Sequence, residues 1–289
     1  MENWPNFFIV GAIRSGTTSL YEYLKDVPSV YMSTIKEPGY FSKSVDTALL
    51  LTNPIRSKEK YLKLFENVQN ETAIGEASPT YLWDPQAPKL IHQQVPDARI
   101  IMILRDPVAR SYSHYLMGLG IGNETLPYKE AMQKALASEN DYSSRIAMAG
   151  FYSEQVSRYL NLFPRENIKI FIFEEFIQDT KKSVQEVLDF LNVDTTIPDD
   201  VKIVDNTFDL PVGGISKHFI RNKILRAAVR ELMPGDSAAN LRKIFRKTSK
   251  KPPLSNFDKK LVEEIYREDA KKLENILGRN LPWPLLNIT

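Results

Sequence analysis

The chain of 289 residues carries 38 Lys and Arg against 36 Asp and Glu, and this net charge of +2 gives no overall field that would favour nucleic acid. Its 43% hydrophobic and 26% charged residues suit one α/β domain with a sizeable core. The absence of cysteine excludes disulfides, thiolate metal ligands and a cysteine nucleophile. Strand-like sequence begins by Phe7, and no apolar run approaches the roughly 18 residues of a membrane span. We therefore expect a cytoplasmic protein without a signal peptide or membrane partner.

The most informative stretch lies near the N-terminus, where an apolar run ends in a turn of small residues. Phe7 to Gly11 is typical of a buried strand, and helix-compatible sequence follows from Leu20. Between them, Gly11 and Gly16 allow a tight turn and a close approach to a ligand, and the amides that begin the next helix would face an anion. Residues 11–19 are therefore predicted to form a phosphate-binding loop.

The position of its cation distinguishes this loop from an ATP-binding P-loop. A P-loop has lysine directly after its last glycine, where this chain has Thr17, and the cation stands earlier, at Arg14. A cation inside the loop would lie beside one phosphate and the group which that phosphate carries. The pattern favours a single substituted 5′-phosphate as the ligand.

The sequence Gly-Ala-Ile-Arg-Ser-Gly-Thr-Thr-Ser-Leu, from Gly11 to Leu20, resembles the 5′-phosphosulfate loop of sulfotransferases that use 3′-phosphoadenosine 5′-phosphosulfate (PAPS). It is most similar to the carbohydrate and heparan-sulfate-type branch and its bacterial relatives. The resemblance implies that Arg14, where that branch commonly has lysine, stabilises the leaving 5′-phosphate. It also implies that the cofactor is bound by Arg14, Ser15, Gly16, Thr17, Thr18 and Ser19.

A charged pair, Lys36 and Glu37, follows the first predicted helix and precedes proline, glycine and two aromatic residues. A hydroxyl acceptor needs a nearby base to take its proton, and a carboxylate suits this role. The segment resembles the family's Lys-Glu-x-x-(Phe/Tyr)-Phe, which implies that Glu37 is the catalytic base and acceptor contact and that Lys36 lies beside the phosphosulfate. Some relatives have histidine where this chain has Gly39. The alternative is a solvated ion pair at a turn.

A second carboxylate candidate stands where a short predicted strand ends in Glu76-Ala77-Ser78-Pro79-Thr80-Tyr81. Relatives place a similar Glu-x-(Ser/Thr)-Pro-x-Tyr segment beside the acceptor, which implies a substrate-binding role for Glu76. The alternative is a buried glutamate that holds the turn by hydrogen bonds. Both interpretations stay open at this point.

A second anion site is predicted at residues 105–113. Arg99 to Leu104 is an apolar run short enough for a buried parallel strand, and Arg105-Asp106-Pro107 follows it. Proline at the start of a helix, with Arg105 before it and Ser113 two turns in, favours an anion site at the end of a strand. The pattern resembles the family's 3′-phosphate site, which implies that Arg105 and Ser113 hold that phosphate.

Three further positions carry weaker signals. Histidine can act as a base, but His114 directly follows Ser113 on the predicted helix and would point away from the face that carries Ser113. A structural role is therefore favoured for His114. Gly150-Phe151-Tyr152 resembles a family segment near the nucleotide, which makes Tyr152 either a cofactor contact or a core aromatic. In the basic region 213–251, Lys217 matches loosely the family's loop over the 3′-phosphate, and a solvated helix face is the alternative.

Buried apolar strands followed by helices predict an α/β fold, a single P-loop-like domain over residues 1–289 with a mostly parallel central sheet flanked by helices. The resemblance implies in-line transfer of the sulfuryl group from PAPS to a hydroxyl, or less favourably an amine, of a saccharide or small-molecule acceptor. No metal is expected, because the transferred group carries less charge than a phosphoryl.

Two other functions share these features. A P-loop small-molecule kinase would need magnesium, which Asp106 could bind, but its phosphate-reaching lysine is missing. A non-catalytic nucleotide- or polyanion-binding protein would use the same phosphate sites without transferring anything.

Overall fold

The computed structural model describes residues 2–43, 54–137, 142–195, 208–211, 246–249 and 252–287. The chain forms two compact units, one from Met1–Arg110, Ala149–Val204 and Glu263–Thr289, the other from Ser111–Met148 and Asp205–Val262. A single domain over residues 1–289 stays a prediction. Lys217 and most of the basic region 213–251 lie outside the described residues.

The first unit is built on a parallel sheet, which has five strands in the described part of the chain. The strands are β1 (Phe7–Gly11), β2 (Val30–Met32), β3 (Ala73–Ala77), β4 (Arg99–Leu104) and β5 (Ile168–Ile172), in the order β2-β3-β1-β4-β5. Every neighbouring pair is parallel. The central strands β1 and β4 are almost entirely buried, as expected for apolar runs covered on both faces. The predicted α/β fold with a parallel sheet is confirmed.

Helices connect these strands along the chain. The described helices are α1 (Thr17–Lys25), α2 (Lys58–Leu62), α3 (Thr80–Trp83), α4 (Ala87–Gln94), α5 (Pro107–Ile121), α6 (Tyr128–Ala137), α7 (Tyr142–Met148), α8 (Tyr152–Leu160), α9 (Phe173–Phe176), α10 (Thr180–Phe190) and α11 (Asn256–Leu277). Short 3₁₀ turns occupy Lys63–Phe65, Arg165–Asn167 and Pro284–Leu286. Among these helices none combines the length and the apolar character needed to cross a bilayer.

The core of the first unit lies between the sheet and the helices that pack on it. Leu20 and Leu24 of α1 and Val187 and Leu188 of α10 are fully buried in one apolar cluster with strand residues. Their spacing along each helix presents one apolar face to the sheet. This packing fixes the start of α1, and with it the loop that follows β1.

The second unit contains helices, turns and an antiparallel pair, β6 (Phe208–Pro211) with β7 (Arg246–Ser249). Tyrosine hydroxyls hold its turns. The Tyr115 hydroxyl donates to the Leu126 carbonyl at 2.9 Å, and the Tyr112 hydroxyl donates to the Pro252 carbonyl at 3.0 Å.

Candidate active site

The predicted site segments of the first unit meet at the carboxyl-terminal edge of the sheet. Strands β3, β1 and β4 are parallel neighbours, so the turns that follow them leave from the same edge. The Ala12 amide donates to the Ile103 carbonyl at 2.8 Å, and the Ser78 amide donates to the Ile9 carbonyl at 3.1 Å. Open α/β sheets bind their ligands at this edge.

The turn between β1 and α1 has the backbone shape of an anion-binding loop. Gly16 caps α1 in the left-handed region with φ 85°, and Arg14 also has a positive φ of 66°. The Phe173 ring lies 3.1 Å from the place where a Cβ on Gly16 would stand, so the ring and the φ angle both favour glycine. Because glycine has no side-chain oxygen, Gly16 cannot accept hydrogen bonds from the first amides of α1, and these amides can donate to a ligand.

Ser15 supplies a buried hydroxyl at the base of this loop. Its side chain is fully buried, and its Oγ has no hydrogen-bond partner among the described residues. Buried hydroxyls nearly always have a hydrogen-bond partner in folded proteins, so the Ser15 hydroxyl is suited to donate a hydrogen bond to a bound anion. Thr17, Thr18 and Ser19, which were predicted to belong to the loop, instead form the first turn of α1. The cofactor-binding role of residues 11–19 stays a prediction.

Arg105, directly after β4, reaches back to the same loop. Its Nη1 donates to the Arg14 carbonyl at 3.1 Å, and its guanidinium carbon lies 4.6 Å from the centre of the Phe173 ring. Burial lowers the pKa of Arg105, although Glu174 and Asp106 oppose this effect. Its Nε is buried without a hydrogen-bond partner in the described ranges. An arginine held in this way, with an Nε–H that has no partner among the described residues, is suited to bind a phosphate.

Asp106 is occupied as the cap of α5. Its Oδ1 accepts the Val108 amide at 3.0 Å, and its own amide donates to Glu174 Oε1 at 3.1 Å. The other oxygen of Glu174 accepts from the Trp283 indole at 3.1 Å. Burial raises the pKa of Asp106 to about 6, and the Glu174 charge adds to this rise. The carboxylate therefore serves the helix start, which disfavours the magnesium-binding role of a kinase.

Lys36 and Glu37 lie against the end of β3. The Glu37 amide donates to the Ala77 carbonyl at 3.0 Å. Lys36 Nζ is 2.5 Å from Glu37 Oε1, and the two side chains are 20% and 32% exposed. The pair is therefore partly shielded from solvent and close to the sheet edge.

Backbone conformation singles out the same positions. Among the described residues, the non-glycine residues with positive φ are Arg14, Glu37 and Asn192. Asn192 follows a helix end, where asparagine commonly takes this conformation. Arg14 and Glu37 are two predicted catalytic residues, and strained conformations of this kind occur at functional sites because the surrounding structure holds them.

Glu76 is completely buried at the end of β3, and three hydroxyls donate to its carboxylate. Oε1 accepts from Tyr61 and Tyr81 at 2.7 Å each, and Oε2 accepts from Ser78 at 2.6 Å. Burial raises the pKa of Glu76 to about 7, these hydrogen bonds oppose the rise, and the Glu37 charge adds to it. The geometry favours the alternative of a buried glutamate that holds the turn, and the substrate-binding role of Glu76 stays a prediction.

Tyr152 is a buried supporting residue. Its hydroxyl donates to the Arg105 carbonyl at 3.1 Å, and its amide donates to Asp269 Oδ2 at 2.6 Å. Asp269 also accepts from the Ser153 amide and hydroxyl, so it caps α8 from a distant helix. The arrangement favours the core-aromatic alternative, and a direct contact between Tyr152 and the cofactor stays a prediction.

Two other predicted positions lie on α5 in the second unit. Ser113 and His114 are both buried, at 4% and 2% exposure. The burial of His114 agrees with a structural role, and the 3′-phosphate role of Ser113 stays a prediction. No cluster of three or more His, Asp or Glu side chains that could hold a metal occurs among the described residues. Metal independence likewise stays a prediction.

Comparison with known proteins identifies relatives of this chain. A family model described as "Sulfotransferase domain" matches residues 5–266. Mouse carbohydrate sulfotransferase 15 (Mus musculus) is 28% identical over 245 residues, which cover 65% of this chain and 44% of that protein. Human heparan sulfate glucosamine 3-O-sulfotransferase 3B1 (Homo sapiens) is 25% identical over 282 residues, which cover 96% of this chain and 65% of that protein. The chain thus spans less than half the length of the mouse relative.

Solved structures show the same similarity. A sulfotransferase from Alicyclobacillus acidocaldarius matches with a TM-score of 0.69 and 27% identity, over 96% of this chain and 98% of that chain. The mouse sulfotransferase SULT7A1 complexed with PAP matches with a TM-score of 0.51 and 14% identity, over 95% of this chain and 88% of that chain. At that identity the second match shows the fold alone.

Proposed function

Because this chain belongs to the sulfotransferase domain family, we propose that it transfers a sulfuryl group from PAPS to a hydroxyl of a saccharide or small-molecule acceptor. An amine acceptor is less favoured. The observation that carries the proposal is a pair of buried hydrogen-bond donors at the sheet edge that have no acceptor among the described residues. The Ser15 hydroxyl and the Arg105 Nε are both buried without partners among the described residues, and Arg105 touches the backbone of the phosphate loop. Such donors fit a bound anion.

The residues of the first unit divide between donor binding and proton transfer. The amides at the start of α1 and the Ser15 hydroxyl would hold the 5′-phosphosulfate, and Arg105 would hold a second phosphate. PAPS supplies the sulfuryl group. Arg14 and Lys36 would stabilise the negative charge that grows on the leaving 5′-phosphate oxygen.

Glu37 would act as the general base on the acceptor. It takes the proton of the acceptor hydroxyl while the hydroxyl oxygen bonds to sulfur and the bond from sulfur to the 5′-phosphate oxygen breaks. Lys36 pairs with Glu37 at 2.5 Å. An anionic donor placed beside Lys36 would compete for its ammonium group and release the Glu37 carboxylate for the acceptor. Donor binding would therefore prepare the base.

The acceptor proposed for a first test is an oligosaccharide that contains glucosamine. Two of the relatives have names that specify carbohydrate or heparan sulfate glucosamine as their substrate. Identities of 25–28% and partial coverage support the substrate class and no particular sugar position.

The nucleotide is tested by calorimetric titration with 3′-phosphoadenosine 5′-phosphate (PAP), without magnesium and with ATP as competitor. We expect PAP to bind and Arg105→Ala to weaken binding by about 1–3 kcal/mol, roughly 5- to 150-fold, the scale of a lost charged hydrogen bond. Arg99→Ala is the matched control, because Arg99 stands at the other end of β4 and also lies over a phenylalanine ring, 5.9 Å from Phe190.

Two outcomes of this titration, and one outcome of a transfer assay with PAPS, would contradict the proposal. A preference for magnesium-ATP over PAP would favour the kinase. An equal loss of PAP affinity in the Arg99 and Arg105 variants would show that the sheet edge is not the nucleotide site. PAP binding without any transfer from PAPS would favour the non-catalytic alternative.

A further inference from the structure

The segment that carries the proposed base is held by alternate backbone amides. We call residues 36–41 the base segment. The Glu37 amide donates to the backbone of β3, as described above, and the next two alternate amides donate to side-chain hydroxyls. The Gly39 amide donates to Ser78 Oγ at 3.1 Å, and the Phe41 amide donates to Tyr81 Oη at 3.3 Å. Two hydroxyls therefore fix the part of the segment that follows Glu37.

Both hydroxyls depend on one buried carboxylate. Ser78 Oγ donates to Glu76 Oε2 at 2.6 Å, and Tyr81 Oη donates to Glu76 Oε1 at 2.7 Å. An ionised carboxylate can only accept hydrogen bonds, so each hydroxyl must direct its proton towards Glu76. The lone pairs of each hydroxyl are then left to accept an amide of the base segment. The charge at position 76 thus sets the direction of both hydrogen bonds.

We propose that Glu76 is a positioning residue for the base Glu37. Its carboxylate orients two hydroxyls, and these hold the backbone on which Glu37 sits in its left-handed conformation of φ 58°. The inference rests on the proposed function, because it takes Glu37 as the base. It gives the buried Glu76 a role in transfer that needs no contact with the acceptor.

Tyr61 provides an internal control for this inference. Its hydroxyl also donates to Glu76 Oε1 at 2.7 Å, and its side chain is as fully buried as that of Tyr81. Within the described contacts, the Tyr61 hydroxyl holds no amide of the base segment. Tyr61→Phe and Tyr81→Phe therefore each remove one donor from Glu76 and keep the ring, but only Tyr81→Phe also releases Phe41.

Protonation of Glu76 would have the same effect as its loss. The titratable groups that face this carboxylate are the hydroxyls of Tyr61, Tyr81 and Tyr159 and the carboxylate of Glu37. Burial raises the pKa of all three tyrosines, so they stay protonated near neutrality. A proton on Glu76 turns one of its acceptors into a donor and reverses one hydrogen bond. Since burial raises the pKa of Glu76 to about 7, this change falls close to neutral pH.

The test compares Tyr81→Phe with Tyr61→Phe in the full chain. With PAPS and the acceptor on which the wild type is active, we expect kcat of Tyr81→Phe to fall at least tenfold below that of Tyr61→Phe, with KM for PAPS unchanged. Ser78→Ala should behave like Tyr81→Phe. In Glu76→Gln, the loss of kcat on acidification near neutral pH should disappear, because the amide does not titrate there.

Hydrogen exchange supplies a readout that does not depend on turnover. The Phe41 amide should exchange faster in Tyr81→Phe than in Tyr61→Phe, and the Gly39 amide should exchange faster in Ser78→Ala. Equal kcat in the two tyrosine variants of an active enzyme, or equal Phe41 exchange, would overturn the inference. A wild type that transfers nothing would overturn the proposed function instead, and the exchange contrast would still decide whether this network holds the base segment.

Discussion

Replacing Glu37 by glycine and by glutamine separates the strain of its backbone from the chemistry of its side chain. Glu37 has φ 58°, and the left-handed conformation costs a residue with a Cβ about 1–2 kcal/mol. Glycine avoids that cost but loses about 0.5–1 kcal/mol through its greater freedom in the unfolded chain. Both variants lose the ion pair with Lys36, so that effect cancels in the comparison. Glu37→Gly should therefore be more stable than Glu37→Gln by about 0.5–1 kcal/mol.

The assay combines thermal unfolding with transfer kinetics. The stability difference corresponds to a melting temperature about 1–4 °C higher for Glu37→Gly. Both variants should lose about 10²- to 10⁴-fold in kcat, the usual contribution of a general base. As a control, Glu22 lies within the helix α1, where glycine should be the less stable replacement by about 1 kcal/mol. A Glu37→Gly variant that melts at or below Glu37→Gln, or wild-type transfer in either variant, would refute this reasoning.

Three further predictions follow from named contacts. Asp269→Ala removes the cap of α8 and should lower the free energy of unfolding by about 1–2 kcal/mol, and an unchanged urea midpoint would contradict it. Gly16→Ala should lower the free energy of unfolding by about 1–2 kcal/mol and weaken PAP binding at least tenfold, because Gly16 has φ 85° and lies against Phe173. A variant that binds PAP with wild-type affinity in a titration would contradict the role of this loop in binding the nucleotide. The pKa of Glu76 is about 7 in the folded protein and 4.5 in its ordinary state. As pH rises, the unfolded chain therefore loses this proton first, and the free energy of unfolding falls by at most about 3 kcal/mol between these two values. Glu76→Gln should remove that slope in melts recorded from about pH 5 to about pH 8, and parallel curves for variant and wild type would exclude it.

The sequence was sufficient for the family and the α/β fold. Membership of the sulfotransferase family, predicted from the stretch between Gly11 and Leu20, is confirmed by the family match over residues 5–266. The strand predicted at Arg99–Leu104 has those bounds in the structure. Both predictions rested on local patterns, an apolar run and a glycine-bounded turn, whose conformation depends on neighbours in the chain.

The supporting contacts of the site could not be predicted, because they join residues far apart in sequence. Asp269 binds the Tyr152 amide across 117 positions, and Tyr61 meets Glu76 across 15. No spacing rule links such pairs. Phe173, which packs against both Gly16 and Arg105, belongs to none of the sequence motifs, and only the structure places it at the start of α9 beside them.

The backbone of the base segment was also beyond sequence reasoning. The residues themselves indicated only a charged pair at a turn, and the resemblance implied that Lys36 lies beside the phosphosulfate and that Glu37 is the base. The left-handed conformation of Glu37 depends on tertiary hydrogen bonds, since its neighbours are held by the turn that follows β3. Tertiary contacts of this kind override local preference.

The most direct test of the account is transfer of radiolabelled sulfur from PAPS to an oligosaccharide that contains glucosamine, without magnesium, by the wild type and by Glu37→Gln. The account predicts labelled saccharide and released PAP with the wild type, and at least a hundredfold less of both with Glu37→Gln although the variant still binds PAP. Label transfer by Glu37→Gln at the wild-type rate would contradict the role of Glu37. A wild type that binds PAP but labels neither this saccharide nor a panel of small hydroxyl and amine acceptors would contradict the proposed sulfuryl transfer itself.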